Sequence, residues 1–140
     1  MTTMTKGKPA GRVSYEIDGY SHGDNPIPAV ARIANTIMTG GISGIDLASG
    51  KMPSTIEEQC DNLFEVAARV LEPAGATLSD VLKVTVFLKP DVDRAPLNKA
   101  WLKHFPDEHS RPVRHVVVNP YLAPGMLIQC EIVAVLETNS

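Results

Sequence analysis

The chain has 140 residues, 44% of them hydrophobic and 21% charged, which is the composition of one globular domain with a real core. A net charge of −3, with the basic residues scattered, excludes the electrostatic footprint of a nucleic-acid binder. No apolar run approaches the roughly 20 residues that span a bilayer, which excludes a membrane helix.

The opening stretch "MTTMTKGKPAGR" is polar and lacks the apolar segment of a signal peptide, so residues 1–12 are expected to be a mobile tail. Residues 13–140 are expected to form a single domain. "RVSYEIDG" alternates and predicts a first strand. "YSHGDNPIPAVA", dense in Gly, Asp, Asn and Pro, predicts a loop. "NTIMTGG" predicts a short strand running into the pair Gly40–Gly41, and "ISGIDLASGK" a turn-rich connection.

A helix is predicted from Ile56 to Leu71. Ile56, Cys60, Leu63, Ala67, Val70 and Leu71 recur at helical spacing, Ser54 and Glu57 read as a capping box, and Pro73 and Gly75 close the element. "VLKVTVFLK" alternates, placing Leu82, Val84, Val86 and Leu88 on one face of a half-buried strand. "RAPLNKAWLKHF" carries Leu97, Trp101 and Phe105 at i, i+4, i+8, the stripe of a second helix. "VRHVVV" and "MLIQCEIVAVL", joined by "NPYLAPG", predict the last two strands.

The order β-β-α-β-α-β-β implies an α+β layer fold, a sheet with two helices packed on one face. The other face, also carrying apolar residues, needs cover, most simply by another copy of the chain. Cys60 and Cys130 fall in apolar periodic segments and show no metal-ligand spacing. They predict buried free thiols, and so a cytoplasmic protein.

Few residues carry chemistry. Arg114 shares a strand face with Val116 and Val118. The pairing of the last two strands was open to setting it opposite Gln129 and Glu131. A lone strand arginine is often solvated or paired to a carboxylate; the functional reading is a bidentate clamp for a ligand carboxylate, which the planar guanidinium suits better than lysine. Gly40–Gly41 reads as a bulge or turn, and also as a point of close approach by a ligand. His22 and Asp24 read as solvated loop, His104 and His109 as exposed, and His115 as core or subunit contact. No phosphate-loop, zinc-protease or nucleophile-elbow motif occurs.

The blocks "MTGGISGIDLASGK", "EEQCDNLFEVAARVLEPAGATLSDVLKVTVFL", "LNKAWLKHFP" and "RPVRHVVV…LIQCEIVAV" resemble the Rid (YjgF-type) family of reactive-intermediate deaminases, over roughly residues 31–136. The resemblance implies a chorismate-mutase-like fold and a homotrimer with clefts between subunits. It also implies hydrolysis of imines or enamines to keto acids and ammonia, with no metal or organic cofactor. Its carboxylate-binding arginine falls on Arg114, its strand-end glycine on Gly41, a serine position on Gly40 and its helix asparagine on Asn98. Three positions depart from the family: Gln129 stands for a water-positioning glutamate, Ile27 for a loop tyrosine and Val116 for a cysteine. Glutamine can hold a water but cannot take its proton, so general-base help is lost there. Glu131, two residues on, shares its face but occupies a different family position.

The expected function is therefore hydrolytic deamination of a carboxylate-bearing imine or enamine, with Arg114 and Gln129 as the catalytic pair. The alternative is a trimer that binds a small carboxylate metabolite without turning it over. A ribonuclease or translation-inhibitor role, attached to some relatives in the resembled family, fits poorly with the acidic balance and the absence of a basic aromatic surface.

Overall fold

The computed structural model describes residues 11–137; the expected tail lies, but for its last two residues, outside them. Seven strands and two helices follow one another as β1 (Val13–Tyr15), β2 (Val30–Ile33), β3 (Thr36–Thr39), β4 (Ile42–Ser43), α1 (Ile56–Leu71), β5 (Val81–Leu88), α2 (Ala95–His104), β6 (Val113–Val118) and β7 (Ile128–Val135). They form one sheet in the order β1-β2-β3-β7-β5-β6, with β4 also paired to β7. The pairings are antiparallel except β5 with β6, which run parallel because α2 carries the chain back between them.

The α+β layer reading holds. Val84, Val86, Leu88, Ile128, Cys130, Ile132 and Ala134 on the sheet are buried, together with Leu63, Phe64, Ala67 and Val70 of α1 and Leu97 and Trp101 of α2. The opposite face carries no helix, and Met38, Val113, Val117 and Val135 stand exposed on it or along its edge.

Three local expectations are corrected. Val30–Ile33 was read partly as loop but is a strand, paired on both sides in a β1-β2-β3 meander. Its short run lies directly against the Pro-rich segment, and tertiary pairing overrides the turn residues. The α1 cap is Thr55, whose hydroxyl accepts from the Glu58 N–H at 3.2 Å and donates to the Glu58 carboxylate at 3.2 Å. The cap is thus one residue later than Ser54, with Glu58 in the place of Glu57, a frame shift that the sequence "STIEE" permits. Leu82 does not share the buried face of β5: the register slips between Val81 and Lys83, and Leu82 is 60% exposed at that bulge.

Gln59 ties α1 to the β6–β7 connection. Fully buried, it donates through Nε2 to the carbonyls of Pro53 (2.8 Å) and Gly125 (2.9 Å), and its Oε1 accepts from the Leu127 N–H (2.9 Å). Gln59→Leu keeps the volume but leaves three backbone groups unpaired, and is expected to lower stability by about 2–4 kcal/mol. Urea unfolding followed by circular dichroism checks this through the midpoint, with an unchanged slope.

Both cysteines are buried and free, as expected. Burial, then the charges of Asp61 and Glu57, push the Cys60 thiol up to about 12, and burial raises Cys130 as well, so neither is a nucleophile at neutral pH.

Candidate functional site

Two side-chain clusters stand out, and they occupy opposite faces of the sheet. The first forms where α2 crosses the edge strand β6. Arg114 pairs in register with Val84, whose side chain faces the helices, so the guanidinium rises on the helix side of the sheet. There its Nη2 donates to Asn98 Oδ1 at 2.8 Å, and its Cζ lies 4.9 Å from the centroid of the Trp101 ring. Trp101 is itself fixed by Phe64 and Phe105, with ring centroids at 5.9 and 4.8 Å. Val116, two residues along β6, lies half-buried on the same face.

Arg114 Nη1 is buried and has no hydrogen-bond partner. The ion pairs among the described residues are Arg69–Glu72 and His109–Glu108, so none of the described carboxylates pairs with Arg114. Burial, and then the nearby charge of Arg94, lower its pKa, yet a guanidinium stays protonated. The result is a half-buried cation on an aromatic floor, with one donor edge unused.

The second cluster gathers at Gly40–Gly41. Between the pairs Met38↔Val133 and Ile42↔Cys130, the glycine strand spends one more residue than β7 does, so the glycines form a β-bulge. Thr39 Oγ1 accepts from the Ile132 N–H at 3.0 Å and closes the gap. Neither glycine needs a positive φ; close approach is what requires them. A Cβ on Gly40 would meet His22 Cε1 at 3.2 Å, and one on Gly41 would meet Gln129 Nε2 at 2.6 Å.

The Gly41 carbonyl accepts from the Tyr20 hydroxyl and from His22 Nε2, the latter at 3.1 Å. A carbonyl only accepts, so Nε2 carries a proton, and Nδ1 is buried without a partner. Burial holds the Tyr20 hydroxyl above its ordinary value, so it stays a neutral donor. Both lone pairs of the Gly41 carbonyl are therefore engaged within the chain.

Several expectations change here. Pairing Arg114 opposite Gln129 and Glu131 does not occur: β5 lies between β6 and β7, and Gln129, in register with Phe87, points from the helix-free face. Glu131 is exposed on that face and does not touch Arg114. His22 is half-buried and bonded, not solvated, whereas Asp24 is exposed. Ile27 is 49% exposed and lines a shallow depression of about 320 Å³ with Met38 and Gly40. It is Tyr20, not singled out in the sequence, and His22, expected there to be solvated, whose side chains reach Gly41. The readable signal was Tyr20 and His22 two residues apart in extended chain, which places both on one side.

His104 is half-buried against Phe64 (5.3 Å) with Nδ1 2.9 Å from the Ala100 carbonyl, so it is packing and not rim. His115 is exposed on the helix-free face and is not core. Arg111 donates to the carbonyls of Phe105 (2.8 Å) and Pro106 (3.2 Å), tying down the end of α2. Among the described residues, no group of three or more His, Cys, Asp or Glu is placed to hold a metal ion.

Residues 24–136 match the family model described as Endoribonuclease L-PSP. A RutC family protein of Pyrococcus abyssi is 34% identical over 113 residues, covering 80% of this chain and 87% of the relative. The 2-iminobutanoate/2-iminopropanoate deaminase of Escherichia coli is 27% identical over 104 residues, covering 74% of this chain and 81% of the enzyme. The solved YjgF gene product of Escherichia coli superposes with a TM-score of 0.80 at 23% identity, covering 89% of this chain and 99% of that one, and so shares the fold.

Proposed function

The chain belongs to the Endoribonuclease L-PSP family, the group of the YjgF, RutC and Rid proteins; from that premise we propose that it is a hydrolytic deaminase of a carboxylate-bearing imine or enamine. The single observation that carries this reading is Arg114, a half-buried guanidinium with a donor edge unused and no carboxylate partner among the described residues. A ligand carboxylate satisfies it, with Asn98 and Trp101 fixing its plane.

The reaction needs water and little else. Water adds to the electrophilic imine carbon, forming a C–O bond. The proton it sheds passes to nitrogen, and the resulting carbinolamine expels ammonia to leave the keto acid. An enamine first takes a proton from water at carbon and returns one from nitrogen, which gives the same imine. Holding the carboxylate against Arg114 and a water against the Gln129 amide supplies the proximity term, and Gln129 acts as a positioner without taking the proton. The Gly41 N–H adds a donor, and Tyr20 and His22 hold the Gly41 carbonyl in place.

The two clusters face opposite sides of one sheet, so a ligand that uses both draws them from two copies. The helix-free face, with Met38, Val113 and Val135 exposed on it or at its edge, is the surface for that association. A homotrimer with clefts between subunits satisfies both conditions. The protein acts in the cytoplasm and uses no cofactor in this reading. Net charge −3 argues against the ribonuclease activity that the family description names.

The test is direct. An amino-acid oxidase acting on alanine generates 2-iminopropanoate in situ, and the rate of its conversion to pyruvate is followed with and without the protein. Acceleration over buffer is expected; a rate equal to buffer at micromolar protein removes the deaminase reading for that substrate. Gln129, where a carboxylate would serve as a base, favours a second reading, a trimer that binds a carboxylate metabolite without consuming it. A thermal shift with an imine or keto acid that is never turned over distinguishes it.

A further inference from the structure

A second guanidinium, that of Arg94, stands at the start of α2, the helix whose Asn98 bonds Arg114. Arg94 is the residue on which α2 starts, and the Asn98 N–H donates to its carbonyl at 3.0 Å, so Arg94 and Asn98 lie one helical turn apart on the same side. Asn98 in turn accepts from Arg114 at 2.8 Å. Asn98 thus ties Arg114 to the turn that Arg94 begins, and the Arg94 charge is near enough to act on Arg114. Arg94 is exposed and forms no ion pair among the described residues. Its acidic neighbour Asp93 is engaged elsewhere, its carboxylate accepting from the Ala95 N–H at 3.0 Å.

Two unpaired guanidiniums on one surface repel each other, and that repulsion is felt at Arg114. Burial of one of them makes the cost greater than for two solvated charges. The arrangement is relieved by a ligand with negative charge at both ends. One carboxylate fills the unused donor edge of Arg114; a second, several bonds away, reaches Arg94 over Asn98. We propose that Arg94 is a second anion-binding residue which, with Arg114, selects ligands carrying two carboxylates over ligands carrying one. The assignment rests on the deaminase reading for its substrate, a dicarboxylic imine or enamine, but the binding preference stands on the two arginines alone.

The test separates the two. Succinate and butyrate have the same chain length and neither reacts. Titrated calorimetrically into the intact oligomer, succinate is expected to bind about 10- to 100-fold more tightly, the worth of one further charged hydrogen bond. Arg94→Ala is expected to remove that difference, whereas Lys99→Ala, which takes an exposed charge from the same helix, keeps it. In parallel, 2-iminosuccinate and 2-iminopropanoate, generated by oxidases acting on aspartate and alanine, are compared as substrates. A wild type with no preference for succinate, or an Arg94→Ala variant that retains the preference, overturns the proposal. Preference intact with neither imine turned over supports Arg94 and counts against deamination.

Discussion

Arg114→Ala is expected to lower kcat/KM for 2-iminopropanoate by about 30- to 5,000-fold, corresponding to about 2–5 kcal/mol for a desolvated charge contact. The folded state is expected to change little, because Arg114 makes no ion pair and one side-chain hydrogen bond, to Asn98. Arg114→Lys is the sharper variant. It keeps the charge but loses the planar fork and the stacking on Trp101, so it is expected to recover less than a tenth of the lost activity. Ammonia release under steady-state conditions reads both variants, and thermal unfolding confirms that they remain folded. An alanine variant within threefold of wild type refutes the carboxylate role of Arg114.

Gly44→Ala is expected to be the most damaging single-methyl change in the chain. Gly44 is buried directly after β4, and its backbone rests against the first turn of α1. A Cβ placed on it would overlap the Gln59 carbonyl oxygen and come within 2.7 Å of the Gln59 C and Cα. These are helix backbone atoms and cannot turn aside as a side chain does. The helix would have to lift, stretching the Asn62 amide bond to the Gly44 carbonyl (3.2 Å) and disturbing the three bonds of Gln59. A loss of about 3 kcal/mol or more is expected, out of the 5–15 kcal/mol typical of a domain. A urea midpoint indistinguishable from wild type shows that the contact relaxes freely.

Much of the fold was legible because it is periodic. The 3.6-residue stripe of α1 and the alternation of β5 record which side of each element meets the core, and the structure buries Cys60, Leu63, Ala67, Val84 and Val86 accordingly. Val30–Ile33 and Leu82 were not legible in that way. A four-residue strand beside prolines takes its hydrogen bonds from partners distant in sequence, and a bulge shifts a face without altering composition.

The site divides along the same line. By itself the sequence singled out Arg114 as the candidate anion holder, showed that the glycine pair allows a bulge or a close approach, and showed that Gln129 cannot act as a base. Each follows from what a side chain is. Only the tertiary structure decided that Arg114 and Gln129 stand on opposite faces, that Tyr20 and His22 share the Gly41 carbonyl, and that Asn98 of α2 meets Arg114 of β6. Those relations depend on strand order and on hydrogen bonds between residues up to 21 positions apart, which local spacing does not encode.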